Sequence, residues 1–382
     1  MIQKSDFLLN EEIHFLNNGS YGACPKTVFA KYQEWQKVIE FQPVEFFQQN
    51  LVPELKKSRE SLAKFVNTDA DDLILMRNAT FAANAVIRSL NLQPGDEVIT
   101  TNHEYGACTN AWQFWQKERN FSLKIVNFDL PLPSASEIIK RFEANISDKT
   151  KVIFFSQITS KTAQLFPAEE LCRLARKHNI ISVVDGAHVI GQYPLDFAKM
   201  PADFYFSNIH KWLFAPKGTA FLYTAKDKQH LLKPLITGWG WGRERELPSG
   251  SDYVDSNQFY GTNDYASFLC VPAAIDFYRR NRIDVLKQEC NSLVRNFLQK
   301  AEQITGRKSL YSDFPPCLQM AVIEIPRKYE FWEIKELLYK KYKIEIPVME
   351  WEDKLLLRIS IQIYNQPEEV EYLLQVLREL FL

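Results

Sequence analysis

Between residues 70 and 225 the chain alternates two kinds of hydrophobic pattern. Short, nearly continuous apolar runs fall at 73–76, 97–101, 123–128, 152–156, 180–185, 203–207 and 219–223. Runs such as VIFF at 152–155 leave no polar face, which predicts strands buried on both sides in a largely parallel or mixed sheet. The stretches between them, at 80–90, 108–119, 134–145 and 167–178, have helical character. Strand–helix alternation of this kind predicts an α/β domain with helices on both faces. Beyond it the pattern changes. Residues 226–263 read as irregular, and 265–304 as two helices or one bent one. Strand candidates at 318–325, 344–348 and 355–361, with helices at 331–342 and 366–381, predict a small α+β lobe.

Composition narrows the function classes. The 382 residues carry 46 Lys and Arg against 47 Asp and Glu, a net charge of −1. With no basic excess, phosphate neutralisation by a nucleic-acid binder is not supported. No apolar run approaches the length needed to span a bilayer, and the amino terminus lacks the apolar core of a signal peptide. Six cysteines are scattered without C-x-x-C spacing or neighbouring histidines, so neither a metal site nor a disulfide framework is indicated. A cytoplasmic enzyme is the expectation. The chain has no G-x-G-x-x-G or P-loop motif, no H-E-x-x-H and no G-x-S-x-G elbow. The GWGWG run at 238–242 has no strand-to-helix context and reads as a loop.

Two segments carry chemistry. In FYFSNIHKWLFAPKG at 204–218, Lys211 stands inside an aromatic run directly after His210. A desolvated lysine has a lowered pKa and suits Schiff-base formation with an aldehyde; a surface lysine with aromatic neighbours is the alternative. In IISVVDGAH at 180–188, Asp185 closes an apolar strand. Carboxyl ends of strands are where α/β sheets gather ligands, although a helix cap is the plainer role. A carboxylate and a lysine at neighbouring strand ends can grip the two ends of an aromatic cofactor.

That arrangement resembles the fold type I pyridoxal-phosphate enzymes of the class V aminotransferase group. Within it, the chain resembles the isopenicillin N epimerase-like branch, beside the cysteine desulfurases. The resemblance runs from about residue 15 to 381. It rests on the ordered motifs LNNGSYG (16–22), RNAT (77–80), HEYGA (103–107), DGAH (185–188), SNIHKW (207–212), YGTND (260–264) and RISI (358–361). It implies a large domain at 15–265 with a seven-stranded, mostly parallel sheet. A connecting helix and small α+β domain follow at 266–382, with residues 1–40 packing on the small domain.

The resemblance also implies roles. Lys211 would be the Schiff-base lysine, and Asp185 would pair with the pyridine nitrogen of pyridoxal 5'-phosphate. His188 and Ser160 would lie by the ring hydroxyl. Ala79 and Thr80 would hold the phosphate through a helix N-terminus, with Asn208 and His210 adding side-chain contacts. Thr262 would reach across from the partner of a homodimer. Tyr105 or His103 would stack on the ring and serve as a second proton donor, the family pattern favouring Tyr105. Arg358, a charge in the apolar strand LLLRISI, would bind the substrate carboxylate, unless it forms a structural ion pair. Asn18 would also contact substrate. Ile209 departs from the small residue usual before the histidine and marks the subgroup.

The reaction remains open. Residues 343–357 hold no cysteine, and Cys317 lies far before Arg358, so a persulfide-forming desulfurase is disfavoured. Epimerisation needs a proton donor on each face of Cα. A C–S lyase needs only Lys211 and a sulfur leaving group at Cβ. Transamination fits the same residues, and a retained non-catalytic scaffold is weakened by the presence of Lys211, Asp185 and Arg358 together. The reading is an epimerase-like enzyme acting on an α-amino acid, with a C–S lyase as the alternative. Specificity would lie in the loops 17–24 and 239–257, where Trp239, Trp241 and Tyr253 point to a bulky or apolar side chain.

Overall fold

The computed structural model describes residues 2–242 and 249–382. Chain order gives β1 (His14–Phe15), β2 (Leu73–Met76), β3 (Glu97–Thr101), β4 (Ser122–Val126), β5 (Thr150–Ser156), β6 (Ile181–Asp185), β7 (Phe204–Asn208) and β8 (Ala220–Thr224). The smaller lobe holds β9 (Met320–Glu324), β10 (Ile344–Glu345), β11 (Val348–Trp351) and β12 (Lys354–Ser360). Strands β2 to β8 form one sheet in the order β2-β8-β7-β6-β5-β3-β4. The β7–β8 and β8–β2 pairs are antiparallel and the other four are parallel. This is the α/β architecture with a mostly parallel seven-stranded sheet that the apolar runs predicted.

The period-2 geometry of strands feeds two separate cores. Leu73, Leu75, Ile153 and Phe155 point to one face, and Ile74, Met76, Val152 and Phe154 to the other. Helices Ala79–Ser89 and Gly106–Arg119 cover the second face through Ala82, Val86 and Trp112. Helices Ala135–Asn145 and Ala168–Lys177 bury Phe142 and Leu171 against the first. Strand β4, at the edge, is the least buried of the seven. Its Lys124 and half-exposed Ile125 fit an edge position.

The smaller lobe is an antiparallel sheet in the order β11-β12-β9, with helices Phe331–Lys340 and Pro367–Phe381. The amino-terminal β1 pairs in parallel with β10 of this lobe. Two helices, Lys26–Phe41 and Leu51–Val66, were not singled out by the sequence pattern; they pack against Ala266–Leu269 and Val271–Arg280. The stretch read as two helices or one bent helix breaks between Arg280 and Ile283, where Arg282 takes a left-handed φ of 50°. The segment read as irregular contains a helix, Asp252–Gln258, whose first turn is capped by the Ser251 hydroxyl. The specificity loop expected at 239–257 includes residues 243–248, which lie outside the described residues. Among the described residues, no helix is long and apolar enough to cross a membrane.

Phe154 is fully buried on β5, an interior strand of the sheet, its ring centroid 5.6 Å from that of Trp112. Phe154→Ala is expected to lower stability by about 3–5 kcal/mol in chemical denaturation, because the rigid sheet cannot collapse into the void.

Candidate active site

The parallel strands end on one side of the sheet, and their carboxyl ends converge on a cavity of about 310 Å³. It is lined by Ser20, Tyr21, Thr80, Tyr105, Ser156, Ser160, Asp185, His188, Asn208, His210 and Lys211, among others. Asp185 ends β6, and the chain turns at Gly186, where a Cβ would fall 2.3 Å from the Tyr205 ring. That close approach requires glycine. The Ala187 N–H donates to Asp185 Oδ1 at 2.8 Å, and Cys108 Sγ lies 3.5 Å from Oδ2. Burial pushes the Asp185 pKa up, opposed by the Ala187 hydrogen bond and the Lys211 charge.

Lys211 sits on the single helical turn Ile209–Trp212 that follows β7. Its Nζ is 3.2 Å from His188 Nε2, while Trp212 Nε1 donates to His188 Nδ1 at 3.4 Å. Burial, reinforced by the Lys211 and Arg358 charges, holds the His188 pKa well below its ordinary range. The ring is therefore neutral, and Trp212 assigns its proton to Nε2, facing the lysine. Burial first, then the Arg358 charge, pull the Lys211 pKa down to about 7. An amine half-deprotonated near neutrality is a competent nucleophile and base.

The opposite end of the cavity suits an anion. Helix Ala79–Ser89 begins there behind its cap, Asn78. The Ala79 N–H does not stand free as expected, because it donates to Asn208 Oδ1 at 2.9 Å. Asn78 Oδ1 takes the Phe81 N–H, so Thr80 is the first-turn residue left to meet an anion. His210 hydrogen-bonds the Thr219 carbonyl through Nδ1 at 2.9 Å, and its pKa is drawn down to about 4 by burial and then by Lys211. Its Nε2 and the Asn208 amide add polar groups there, and Arg77 and Lys217 also line the cavity. A lone carboxylate, an amine and an anion cradle in one cavity match the nitrogen, aldehyde and phosphate of a phosphorylated pyridine aldehyde.

Arg358 is buried directly behind this cavity. Its Nη1 donates to the Ser160 carbonyl at 2.6 Å and contacts Ser160 Oγ at 3.3 Å, while Nη2 donates to Ser20 Oγ at 3.1 Å. Among the described residues no carboxylate pairs with it, and its buried Nε has no partner. Burial pulls its pKa down to about 10. Ile209 is fully buried in the core.

Three expected site residues lie elsewhere. His103 is buried away from the cavity, with Nδ1 2.8 Å from Thr162 Oγ1, Nε2 2.9 Å from the Phe128 carbonyl and its ring against Trp351. Both nitrogens are engaged, so only Tyr105 of the two stacking candidates lines the cavity. Asn18 is also buried; it donates to the Lys211 carbonyl at 3.2 Å and accepts from Tyr364 Oη at 3.0 Å. It anchors the lysine's backbone, and its neighbours Ser20 and Tyr21 face the cavity instead. Thr262 is exposed and does not line its own chain's cavity. The specificity loop expected at 17–24 supplies Ser20 and Tyr21, whereas sequence reasoning missed Arg77, Ser156, Lys217 and, behind the wall, Glu104 and Cys108. Of these, Ser156 carried a signal, as a polar residue closing an apolar run.

Comparison with known proteins matches residues 15–373 to the Aminotransferase class-V family model. The isopenicillin N epimerase of Amycolatopsis lactamdurans is 31% identical over 97% of this chain and 96% of its own length. The hercynylcysteine sulfoxide lyase of Schizosaccharomyces pombe is 26% identical over 98% of this chain and 96% of its own. A solved structure of a C-DES mutant with glycine covalently linked to its PLP cofactor superposes with a TM-score of 0.86 at 20% identity, covering 99% of this chain and all of the other.

Two outcomes test the geometry. Aldehyde capture by the Lys211 amine, followed by borohydride trapping and peptide mapping, is expected to rise through about pH 7 and not pH 10. Gly22 has φ 70°, and a Cβ there would fall 2.0 Å from the His210 carbonyl oxygen and 2.8 Å from Lys211 Cα. Gly22→Ala is therefore expected to destabilise the fold by more than about 1 kcal/mol and to shift that capture profile.

Proposed function

The chain belongs to the aminotransferase class-V family and is a pyridoxal 5'-phosphate-dependent enzyme, and from that premise we propose that it cleaves a C–S bond in a cysteine-derived α-amino acid. The observation that carries the proposal is that Lys211 is a base poised near neutrality while neither residue expected to serve the second face of Cα, His103 or Tyr105, is one; Lys217, the other lysine on the cavity wall, is held by the Gly22 carbonyl at 2.9 Å. His103 is sequestered, with a pKa drawn down to about 4 by burial. Burial raises the Tyr105 phenol above its ordinary value, away from the range useful to a base at neutral pH. One-base chemistry suits elimination better than inversion.

Asp185 would hold the protonated ring nitrogen, and Thr80, Asn208 and His210 would hold the phosphate. His188 and Ser160 would stand by the ring hydroxyl. When bound, the cofactor supplies a conjugated electron sink for charge released at the substrate's Cα. Arg358, reached past Ser20 and Ser160, binds the substrate carboxylate through its planar fork. Lys211 accepts the Cα proton and can hand a proton to the sulfur leaving Cβ. His188, neutral and held by Trp212, keeps the amine aimed. The relatives named hercynylcysteine sulfoxide lyase and probable L-cysteine desulfhydrase support this reading.

Epimerisation is the second reading. It is supported by the relatives named isopenicillin N epimerase and by the position of Tyr105 on the cavity wall. We also propose a homodimer, with Thr262 serving the partner's cavity. The exposed apolar side chains Tyr21, Phe41, Trp239 and Trp241 support it. Six free cysteines suit the reducing cytoplasm.

Incubation with cysteine S-conjugates and their sulfoxides in heavy water is expected to yield keto acid and a sulfur product. Recovery of inverted amino acid deuterated at Cα, without keto acid, would instead establish an epimerase. Lys211→Ala is expected to abolish turnover. Tyr105→Phe is expected to retain elimination within about ten-fold, and a loss of several orders of magnitude would mean that a second acid–base group is at work.

A further inference from the structure

Behind the cavity wall stands a buried carboxylate that none of these roles uses. Glu104 follows β3, accepting from Thr101 Oγ1 and from Ser156 Oγ, each at 2.6 Å. No cation acts on it among the described residues. A buried carboxylate without a cation is costly in its charged form. Ser156 ends β5, lines the cavity, and is the register partner of Asp185 on the adjacent parallel strand. Partners in register project to the same face, so the Ser156 hydroxyl lies between Glu104 and the surroundings of Asp185.

The two hydroxyls on Glu104 are not equivalent. Thr101 Oγ1 already accepts the His103 N–H at 3.2 Å, whereas Ser156 Oγ has Glu104 as its one hydrogen-bond partner among the described residues. With Glu104 ionised, the Ser156 hydrogen points at the carboxylate and away from the cavity. With Glu104 protonated, the acid donates to Ser156 Oγ, and the serine hydrogen turns into the cavity.

We infer that Glu104 is a positioning residue of the site: its protonation decides, through Ser156, whether the wall beside Asp185 offers a hydrogen-bond donor. The inference rests on reading the cavity as the cofactor site. Burial lifts the Glu104 pKa to about 7 from 4.5, opposed by its two hydroxyl donors and assisted by the Asp185 charge. The titratable groups acting on it from the packed elements are Asp185 on β6 and Cys108 on helix Gly106–Arg119. The switch therefore falls within the physiological range.

The test is an absorbance titration of the bound cofactor in the holoenzyme, alongside E104Q and S156A. The wild type is expected to show a transition near neutrality. E104Q mimics the protonated acid and should lack it. S156A removes one donor from the anion and should raise the midpoint by about one unit, a ten-fold change in protonation ratio. Superposable titrations for all three proteins would overturn the inference. Absence of cofactor absorbance in every protein would instead sink the cofactor reading.

A second measurement needs no cofactor. A raised carboxyl pKa contributes stability that is full below about 4.5 and lost as pH rises through about 7. The Tm of E104Q relative to wild type should therefore climb across that interval, and a constant difference would also overturn the inference. Should E104Q fail to fold, the S156A midpoint decides.

Discussion

Everything in the site depends on keeping one lysine amine out of water. Lys211 is held on a single helical turn whose backbone is gripped from outside: Asn18 donates to its carbonyl, and Gly22 passes close enough that a methyl group would not fit. Burial and the nearby Arg358 charge then do the electrostatic work, and Asp185 is too weak a counterweight to restore the ordinary pKa. The result is an amine that is a base at neutral pH and a histidine beside it that stays neutral. Moving either Asn18 or Gly22 would move the amine without touching the cavity.

The same economy organises the rest of the pocket. Polar groups sit at separated poles, with Asp185 at one end, the neutral Thr80, Asn208 and His210 at the other, and Arg358 behind the serines. Polar groups that face the cavity also support one another. Asn208 caps Ala79 before it can meet a ligand, and Ser160 and Ser20 hold the guanidinium that stands behind them. Such mutual bonding fixes rotamers in advance and lowers the entropy lost on binding.

How legible this was depended on the range of the interactions involved. The seven strands were legible because strands buried on both faces write continuous apolar runs into the chain. The helices at 26–41 and 51–66 escaped because they lie outside that strand–helix alternation; in Lys26–Phe41 only Val28 and Ile39 are buried. His103 and Asn18 stood in motifs that matched a ligand-binding pattern, yet their partners Thr162, Phe128 and Tyr364 lie far along the chain. Nothing local distinguishes a histidine that faces a ligand from one bonded on both nitrogens.

The sequence by itself determined the class of fold and the chemical pair at its centre. Hydrophobic period is a local property, and an aspartate closing one apolar strand and a lysine just past the end of the next emerge near one another at the carboxyl edge of a sheet. Only the tertiary structure decided which polar residues face the cavity, which are consumed by one another, and how far each pKa moves. Desolvation and hydrogen bonding depend on atoms brought together from distant parts of the chain. Glu104 shows the difference: in the sequence it is one acid among 47, and in the fold it is a carboxylate sealed behind Ser156.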